Sequence, residues 1–267
     1  MLNLNKVGRP LCKIVGGKYA NMVVSVIDQF SNKDKKKAED DSDDDNLIQD
    51  FKRLQIANDS KFQIVPDITQ ERQILYITGP SGSGKSTFTR KYIEELKKKR
   101  KDMPIYLFSA VSQDESLDSI NPYRIVLDES LIEDPIGLEE LSDSVCIFDD
   151  IDVIPDKKIR EAVYKLLNMI LECGRHTRTW CICTNHLPTN GRDTRRILNE
   201  THVFVYFPHS AGGRIKYFLQ EYVGLDKKTI KYIRQQHTRW CAIFKNYPQV
   251  FLLEREVGLL TTLNDDD

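Results

Sequence analysis

Gly79-Pro80-Ser81-Gly82-Ser83-Gly84-Lys85-Ser86-Thr87 matches the pattern G-x-x-x-x-G-K-[ST], and its flanks supply the context that pattern requires. Ile74 to Thr78 ahead of it is a short apolar run with the look of a buried strand. Phe88 to Leu96 behind it carries apolar residues at helical spacing. Strand, glycine-rich loop and helix together predict a phosphate-binding loop. Gly79, Gly82 and Gly84 let the backbone curl into a nest of inward N–H groups, and the helix starting near Lys85 adds the positive end of its dipole. Lys85 is expected to reach the β- and γ-phosphates of a nucleotide such as ATP, and the Ser86 hydroxyl to ligate Mg²⁺. The plain alternative, a Gly/Ser loop with a chance lysine, explains neither flank.

Val145-Cys146-Ile147-Phe148-Asp149-Asp150 is the second half of the expected site. Four apolar residues predict a buried central strand, and the carboxylates fall at its C-terminal edge, where ligands of open α/β sheets collect. Asp149 is expected to hold Mg²⁺, directly or through water, and Asp150 to orient or deprotonate an attacking water. An extra strand between the loop and the acidic pair, with a second acid, points to hydrolysis rather than transfer to a small acceptor. Thr184-Asn185 ends the next strand after the acidic pair, so Asn185, with Thr184 second, is read as a water-positioning or sensor residue; a loop-capping Asn is the alternative. Arg175, ahead of the same strand, is the first choice for an arginine finger, against a solvated loop arginine. Arg175, Arg178, Arg192, Arg195, Arg196, Arg214, Lys216 and the Lys97–Lys101 run offer an alternative role along a DNA backbone.

Working outward, residues 1–32 read as an N-terminal hairpin with a turn at Gly16-Gly17. Residues 33–46 read as a charged, disordered loop. The ATPase core is placed at 47–210 and a mixed helical and β extension at 211–267. Within the core, Asn46–Ile56 is expected as a short helix, and Phe62–Val65, Ile105–Phe108, Arg124–Leu127, Thr179–Thr184 and Val203–Phe207 as strands. Pro135–Leu141 and Lys157–Cys173 are expected helices, and 185–196 a polar, arginine-rich loop. In the extension, 212–223 and Lys227–Gln235 read as helices, Trp240–Phe244 and Val250–Leu253 as strands, and Asp265–Asp267 as a frayed end. Strands alternating with helices predict an α/β fold: a P-loop NTPase of the RecA-like (ASCE) type, its mainly parallel sheet covered by helices on both faces.

With 267 residues the chain is long enough for one large α/β domain and an appendage. A net charge of −1 gives no global nucleic-acid signature, so any DNA surface must be local. No apolar run is long enough for a bilayer and the N-terminus lacks a signal segment, so a soluble intracellular protein is expected. The six cysteines form no C-x-x-C and read as reduced thiols. A metal set of Cys173, His176, Cys181, Cys183 and His186 fits no zinc spacing.

The combination resembles the genome-packaging ATPases of large double-stranded DNA viruses, the poxvirus and giant-virus type, within the FtsK/HerA class. Gly79–Thr87, Tyr106-Leu107-Phe108-Ser109, Ile147-Phe148-Asp149-Asp150-Ile151, Gly174-Arg175-His176, Thr184-Asn185-His186, Phe207-Pro208 and Arg239-Trp240 carry it. The resemblance implies an ATP- and Mg²⁺-dependent motor that assembles as a homo-oligomeric ring. It implies double-stranded DNA and capsid or portal-vertex proteins as partners, action in the host cytoplasm or the virion, and Arg175 acting across a subunit interface. Cellular members carry Glu and Gln where Asp150 and Asn185 stand here. Two other classes remain as alternatives: a nucleoside or nucleotide kinase, with 192–196 as its lid, and a nucleotide-gated virion scaffold. An ABC transporter ATPase is excluded because Gly137–Asp143 does not supply its Leu-Ser-Gly-Gly-Gln motif.

Overall fold

The computed structural model describes residues 1–28, 51–189, 192–210 and 214–263. The charged segment 33–46 and the terminal aspartates lie outside them. The described chain forms two compact units, one from residues 1–69 and 219–267 and the other from 70–218.

The first unit begins with β1 (Leu2–Asn3), β2 (Arg9–Val15) and β3 (Val23–Val26), followed by β4 (Arg53–Gln55) and β5 (Lys61–Ile64). β1, β3, β2 and β5 make an antiparallel sheet in that order. Residues 53–55, expected in a helix, are instead a strand. Leu54 pairs with Val257, and Arg53 meets Glu256 and the ring and hydroxyl of Tyr232. Local helical spacing is overridden here by strand pairing between residues about 200 positions apart.

The second unit is built on six parallel strands. They are β6 (Ile74–Thr78), β7 (Ile105–Ser109), β8 (Tyr123–Arg124), β9 (Val145–Asp149), β10 (Trp180–Asn185) and β11 (Val203–Tyr206). Their order across the sheet is β11-β6-β10-β9-β7-β8. β6, β9, β10 and β11 are buried along their whole length, which is why they read as apolar runs rather than alternating ones. Phe108 and Phe148 stack across β7 and β9 with ring centroids 4.7 Å apart.

Parallel neighbours need crossover connections, and the helices supply them. α1 (Lys85–Lys97) and α2 (Glu115–Asp118) lie on connections that move toward β8. α3 (Ser130–Glu133), α4 (Lys157–Cys173) and α5 (Arg192–Glu200) lie on connections that return toward β11. Right-handed crossovers put the two sets on opposite faces; α1 packs on α2, while α4 packs on both α3 and α5. This is the P-loop fold anticipated from the sequence, with helices on both faces.

Local sequence explains the two long helices. α1 buries Lys85, Phe88, Thr89, Tyr92, Ile93 and Leu96, one stripe at three- and four-residue spacing. α4 starts at Asp156, whose carboxylate accepts the N–H groups of Lys158 and Ile159 at 2.8 and 3.0 Å. At its other end the buried Arg72 guanidinium donates to the carbonyls of Ile170, which also accepts the Gly174 N–H, and Leu171, in the last turn where helix carbonyls run short of partners. Arg72→Ala is expected to cost about 2–4 kcal/mol, two charged hydrogen bonds at ~1.5–3 kcal/mol each less partial rehydration. Thermal melting should show the midpoint lower by about 5–10 °C; an unchanged midpoint would remove this cap from the account.

Three further expected elements differ. The segment 192–200 is helical, not a loop, since Ile197 and Leu198 bury against the fold and Arg196 pairs with Glu172 of α4. Pro135–Leu141 contains a single 3-10 turn, Glu139–Leu141. The strand expected at Arg124–Leu127 is the short Tyr123–Arg124 beside β7.

After β11 comes α6 (Arg214–Glu221). α7 (Lys227–Gln235), β12 (Cys241–Phe244), β13 (Val250–Leu253) and β14 (Glu256–Leu259) then complete the first unit. β4, β14, β13 and β12 are antiparallel neighbours in that order. β14 was not anticipated, because Gly258 and the charged Glu254-Arg255-Glu256 run mask a strand.

Candidate active site

The site gathers at the C-terminal ends of β6, β9 and β10. Gly79 leaves β6, and its N–H donates to the carbonyl of Asn185 at 3.1 Å, tying the loop to the neighbouring strand. A Cβ on Gly79 would lie 2.6 Å from Ser83 Oγ and 2.8 Å from the Phe207 ring, so the turn closes only around a glycine. Gly84 caps α1 with φ 109°, a left-handed value that side chains resist. Pro80, Ser81 and Thr87 are exposed, while Ser83 and Ser86 are half-buried. The buried Ser83 Oγ has no hydrogen-bond partner. Backbone N–H groups at a helix start, an unpartnered hydroxyl and a nearby ammonium form a donor set that fits a polyphosphate.

Lys85 is buried and points back across the loop. Its Nζ donates to the Gly79 carbonyl at 3.1 Å, lies 3.3 Å from His186 Nδ1, and is 3.7 Å from Asp150 Oδ1. The strand register therefore brings Lys85 and Asp150, 65 residues apart in sequence, into one site.

The same register explains Asp149. Ser109, Asp149 and Thr184 are direct partners across β7, β9 and β10, so their side chains share one row of one face. Thr184 Oγ1 donates to Asp149 Oδ1 at 2.6 Å and Ser109 Oγ to Oδ2 at 3.0 Å. The carboxylate is thus fixed by one hydroxyl on each oxygen and keeps a lone pair on each, which fits a hard divalent cation held directly or through water. Ser86, in the first turn of α1, is the other residue of the expected Mg²⁺ pair.

Asp150 ends the strand in a left-handed conformation, φ 47° and ψ 39°, which aspartate tolerates better than most residues. Its N–H faces Thr184, with the carbonyl at 3.2 Å and Oγ1 at 3.3 Å. This kink turns the carboxylate toward Lys85 and away from the row occupied by Asp149. Oδ2 lies 3.0 Å from His186 Nε2, and Oδ1 is buried without a hydrogen-bond partner. Burial raises the Asp150 carboxyl above the usual carboxylate range; Asp149 and Asp152 add to the rise, and Lys85 and His186 oppose it. A carboxylate of raised basicity beside a phosphate-binding loop suits proton abstraction.

Asn185 lies at the expected strand end, but its side chain faces the other side. Its Nδ2 donates to Tyr76 Oη at 3.2 Å, and Tyr76 donates to the carbonyls of Leu187 and Pro188 at 3.0 and 3.2 Å. Alternation along β10 dictates this: Thr184 faces Asp149, so Asn185 faces the opposite way, with Cys183 and Tyr76.

Arg175 lies at the other end of the sheet. It precedes β10 and pairs with Glu71, which precedes β6; both are exposed, and the guanidinium holds the Glu71 carboxyl below its usual value. Arg178 pairs with Asp143 in the same region. Arg175 is thus not brought to Lys85 and Asp150 within one chain. Cys181 and Cys183 are core residues of β10, and Cys173 is exposed at the end of α4. Ser109, His186 and Phe207 join the site without having been singled out for it from sequence. The polar residue closing the apolar run Ile105–Phe108 was the available signal for Ser109.

A glycine loop between β6 and α1, with the acidic β9 separated from β6 by β10, defines a P-loop NTPase domain of the RecA-like type. A family model described as nephrocystin 3, N-terminal, matches residues 53–184, a span that includes both the loop and the acidic pair. Over 256 residues the chain is 38% identical to uncharacterized protein V3 of Sputnik virophage, covering 95% of this chain and 96% of that one. It belongs to the same family as that virophage protein. Among solved structures, the genome packaging NTPase B204 of Sulfolobus turreted icosahedral virus 2, in complex with AMP, is similar at 16% identity. That match covers 70% of this chain and 98% of B204, with a TM-score of 0.46. The cytoplasmic domain of the Thermomonospora curvata type VII secretion ATPase EccC is similar at 10% identity over 80% of this chain and 31% of that one, with a TM-score of 0.47.

Proposed function

We propose that the protein is a Mg²⁺-dependent ATPase that drives double-stranded DNA into a viral capsid. The observation that carries the enzymatic part is the approach of Lys85 Nζ to within 3.7 Å of Asp150 Oδ1 beside the glycine loop. This proximity supports a phosphate-binding role for Lys85 beside a base role for Asp150. In this reading the loop N–H groups and Lys85 hold the β- and γ-phosphates, and Ser86 and Asp149 hold Mg²⁺. The ion, when bound, neutralises charge that builds on the phosphate oxygens. Water attacks the γ-phosphorus in line as the bond to the β,γ-bridging oxygen breaks; Asp150 takes the water proton, and ADP and phosphate leave. The strand β10 between β6 and β9 supports hydrolysis over a kinase reading, because it opens the space in which an acid beside Asp149 faces the loop.

DNA as the cargo rests on the resemblance to packaging ATPases carried by the motifs above. The same resemblance supports a homo-oligomeric ring, capsid or portal-vertex partners, action in the host cytoplasm or virion, and Arg175 serving a neighbouring subunit's nucleotide. The position of Arg175 at the sheet end opposite its own loop is compatible with such service in trans. Among the described residues no helix is long and apolar enough to cross a membrane.

Steady-state ATP hydrolysis with and without long linear duplex DNA tests the proposal. Turnover that rises severalfold with duplex DNA is the expected result. Turnover indifferent to DNA would remove the motor reading while leaving an ATPase, and phosphate release only with a small acceptor would return the kinase.

A further inference from the structure

The imidazole of His186 stands between the two charged groups of the site. Nε2 is 3.0 Å from Asp150 Oδ2 and Nδ1 is 3.3 Å from Lys85 Nζ. An ammonium has only donors and a carboxylate only acceptors. Both contacts are therefore satisfied by a single ring species, neutral, with the proton on Nε2 and the lone pair on Nδ1. The opposite tautomer would aim an N–H at the ammonium and a lone pair at the carboxylate. A charged ring would set a second positive charge against Lys85.

The backbone on either side of this ring is anchored. Asn185 receives the Gly79 N–H on its carbonyl, and the buried Tyr76 hydroxyl holds the carbonyls of Leu187 and Pro188. Asn185 also donates to that hydroxyl, so the residue singled out as a sensor supports the loop that carries His186. Lys85 and Asp150 are 3.7 Å apart, beyond hydrogen-bond reach, so the ring is what ties them together. Of the two Asp150 oxygens, Oδ2 is the one 3.0 Å from Nε2, and Oδ1 has no hydrogen-bond partner.

We propose that His186 is a positioning residue for hydrolysis: its Nε2–H fixes Asp150 through Oδ2 and leaves Oδ1 as the atom that accepts the water proton. The inference rests on the ATPase reading above. When Lys85 turns to phosphate, Nδ1 gives up its donor while the Nε2–H bond stays, so the base keeps its orientation as its counter-charge withdraws. No covalent bond to His186 forms at any stage, and the ring gains and loses no proton.

The test compares wild type, His186→Ala and His186→Gln in the full chain, by turnover and by nitrogen NMR of ¹⁵N-labelled histidine. His186→Ala should lower kcat by about tenfold or more while KM for ATP stays within about threefold, as for loss of an interaction used at the transition state. Glutamine offers one amide donor and one carbonyl acceptor, and should regain at least about a third of wild-type kcat. In the nucleotide-free wild type, His186 should be neutral with its proton on Nε2, and Lys85→Ala should shift Nδ1 while leaving the Nε2–H signal in place. A rise in KM at unchanged kcat, unchanged kinetics, a glutamine variant no better than alanine, or a proton on Nδ1 would each overturn the proposal. The NMR result stands whether or not the wild type turns over. Absence of hydrolysis with the Nε2–H ring present would therefore sink the ATPase reading and leave the bridge, and a ring protonated on Nδ1 would sink the bridge alone.

Discussion

Lys85→Ala should lower kcat for ATP hydrolysis by about 10²–10³, the loss expected when one preorganised donor to a developing phosphate charge is removed. The side chain is buried, and its ammonium has two acceptors in reach, the Gly79 carbonyl and His186 Nδ1, with the Asp150 carboxylate 3.7 Å away. It is therefore held within the loop before any phosphate arrives, and little orientation is lost when the charge is needed. Alanine removes the charge and leaves the glycine turn, because the loop is closed by backbone bonds from Gly79 to Asn185 and from Ser83 to Pro80. Wild-type turnover by Lys85→Ala would overturn the whole site assignment. Arg175 gives the companion experiment. Arg175→Ala and Lys85→Ala subunits, each defective alone, should recover part of the activity when mixed if the arginine acts in trans; no recovery at any ratio would assign Arg175 to its exposed pair with Glu71.

Asp150→Asn should lower kcat by about 10²–10⁴, the range for losing a general base, while leaving the fold in place. The amide has the carboxylate's shape, and its oxygen can still accept the His186 Nε2–H. The sign of the stability effect follows from the direction of the carboxyl shift. A carboxyl raised by burial binds its proton more tightly in the folded chain, so the ionised form costs stability at neutral pH, and that cost appears as pH rises through the ordinary carboxylate range. A neutral amide removes the cost and gives up the attraction of Lys85, which is the smaller of the two. The melting temperature should stay within about 3 °C of wild type, equivalent to roughly 1 kcal/mol in a domain of this size. Loss of turnover together with a large fall in melting temperature would make Asp150 a structural residue. Full turnover would move the proton to another acceptor.

The two halves of the site were legible for different reasons. The glycine loop is contiguous, and its chemistry depends on backbone freedom that glycine alone provides, so Gly79–Thr87 announces itself in one line of sequence. Asp149 and Asp150 were legible because an apolar run ending in carboxylates marks the C-terminal edge of a buried strand. The long helices were legible through their apolar stripes, with α4 and α7 spanning the segments expected. The strand at Arg53–Gln55 and the helix at Arg192–Glu200 were not, because pairing with β14 and burial against the fold outweigh weak local preference there.

The amino-acid sequence by itself determined the class of fold and the identity of the charged groups, because both follow from local backbone conformation and from which runs can be buried. Only the tertiary structure decided which side chains meet. Strand order put β10 between β6 and β9, register set Ser109 and Thr184 on either side of Asp149, and the alternation of β10 turned Asn185 away and left His186 against Lys85 and Asp150. A shift of one residue in that register would exchange the faces, and no local feature of the sequence fixes it. It is fixed by the pairing of whole buried strands that lie tens of residues apart in the chain.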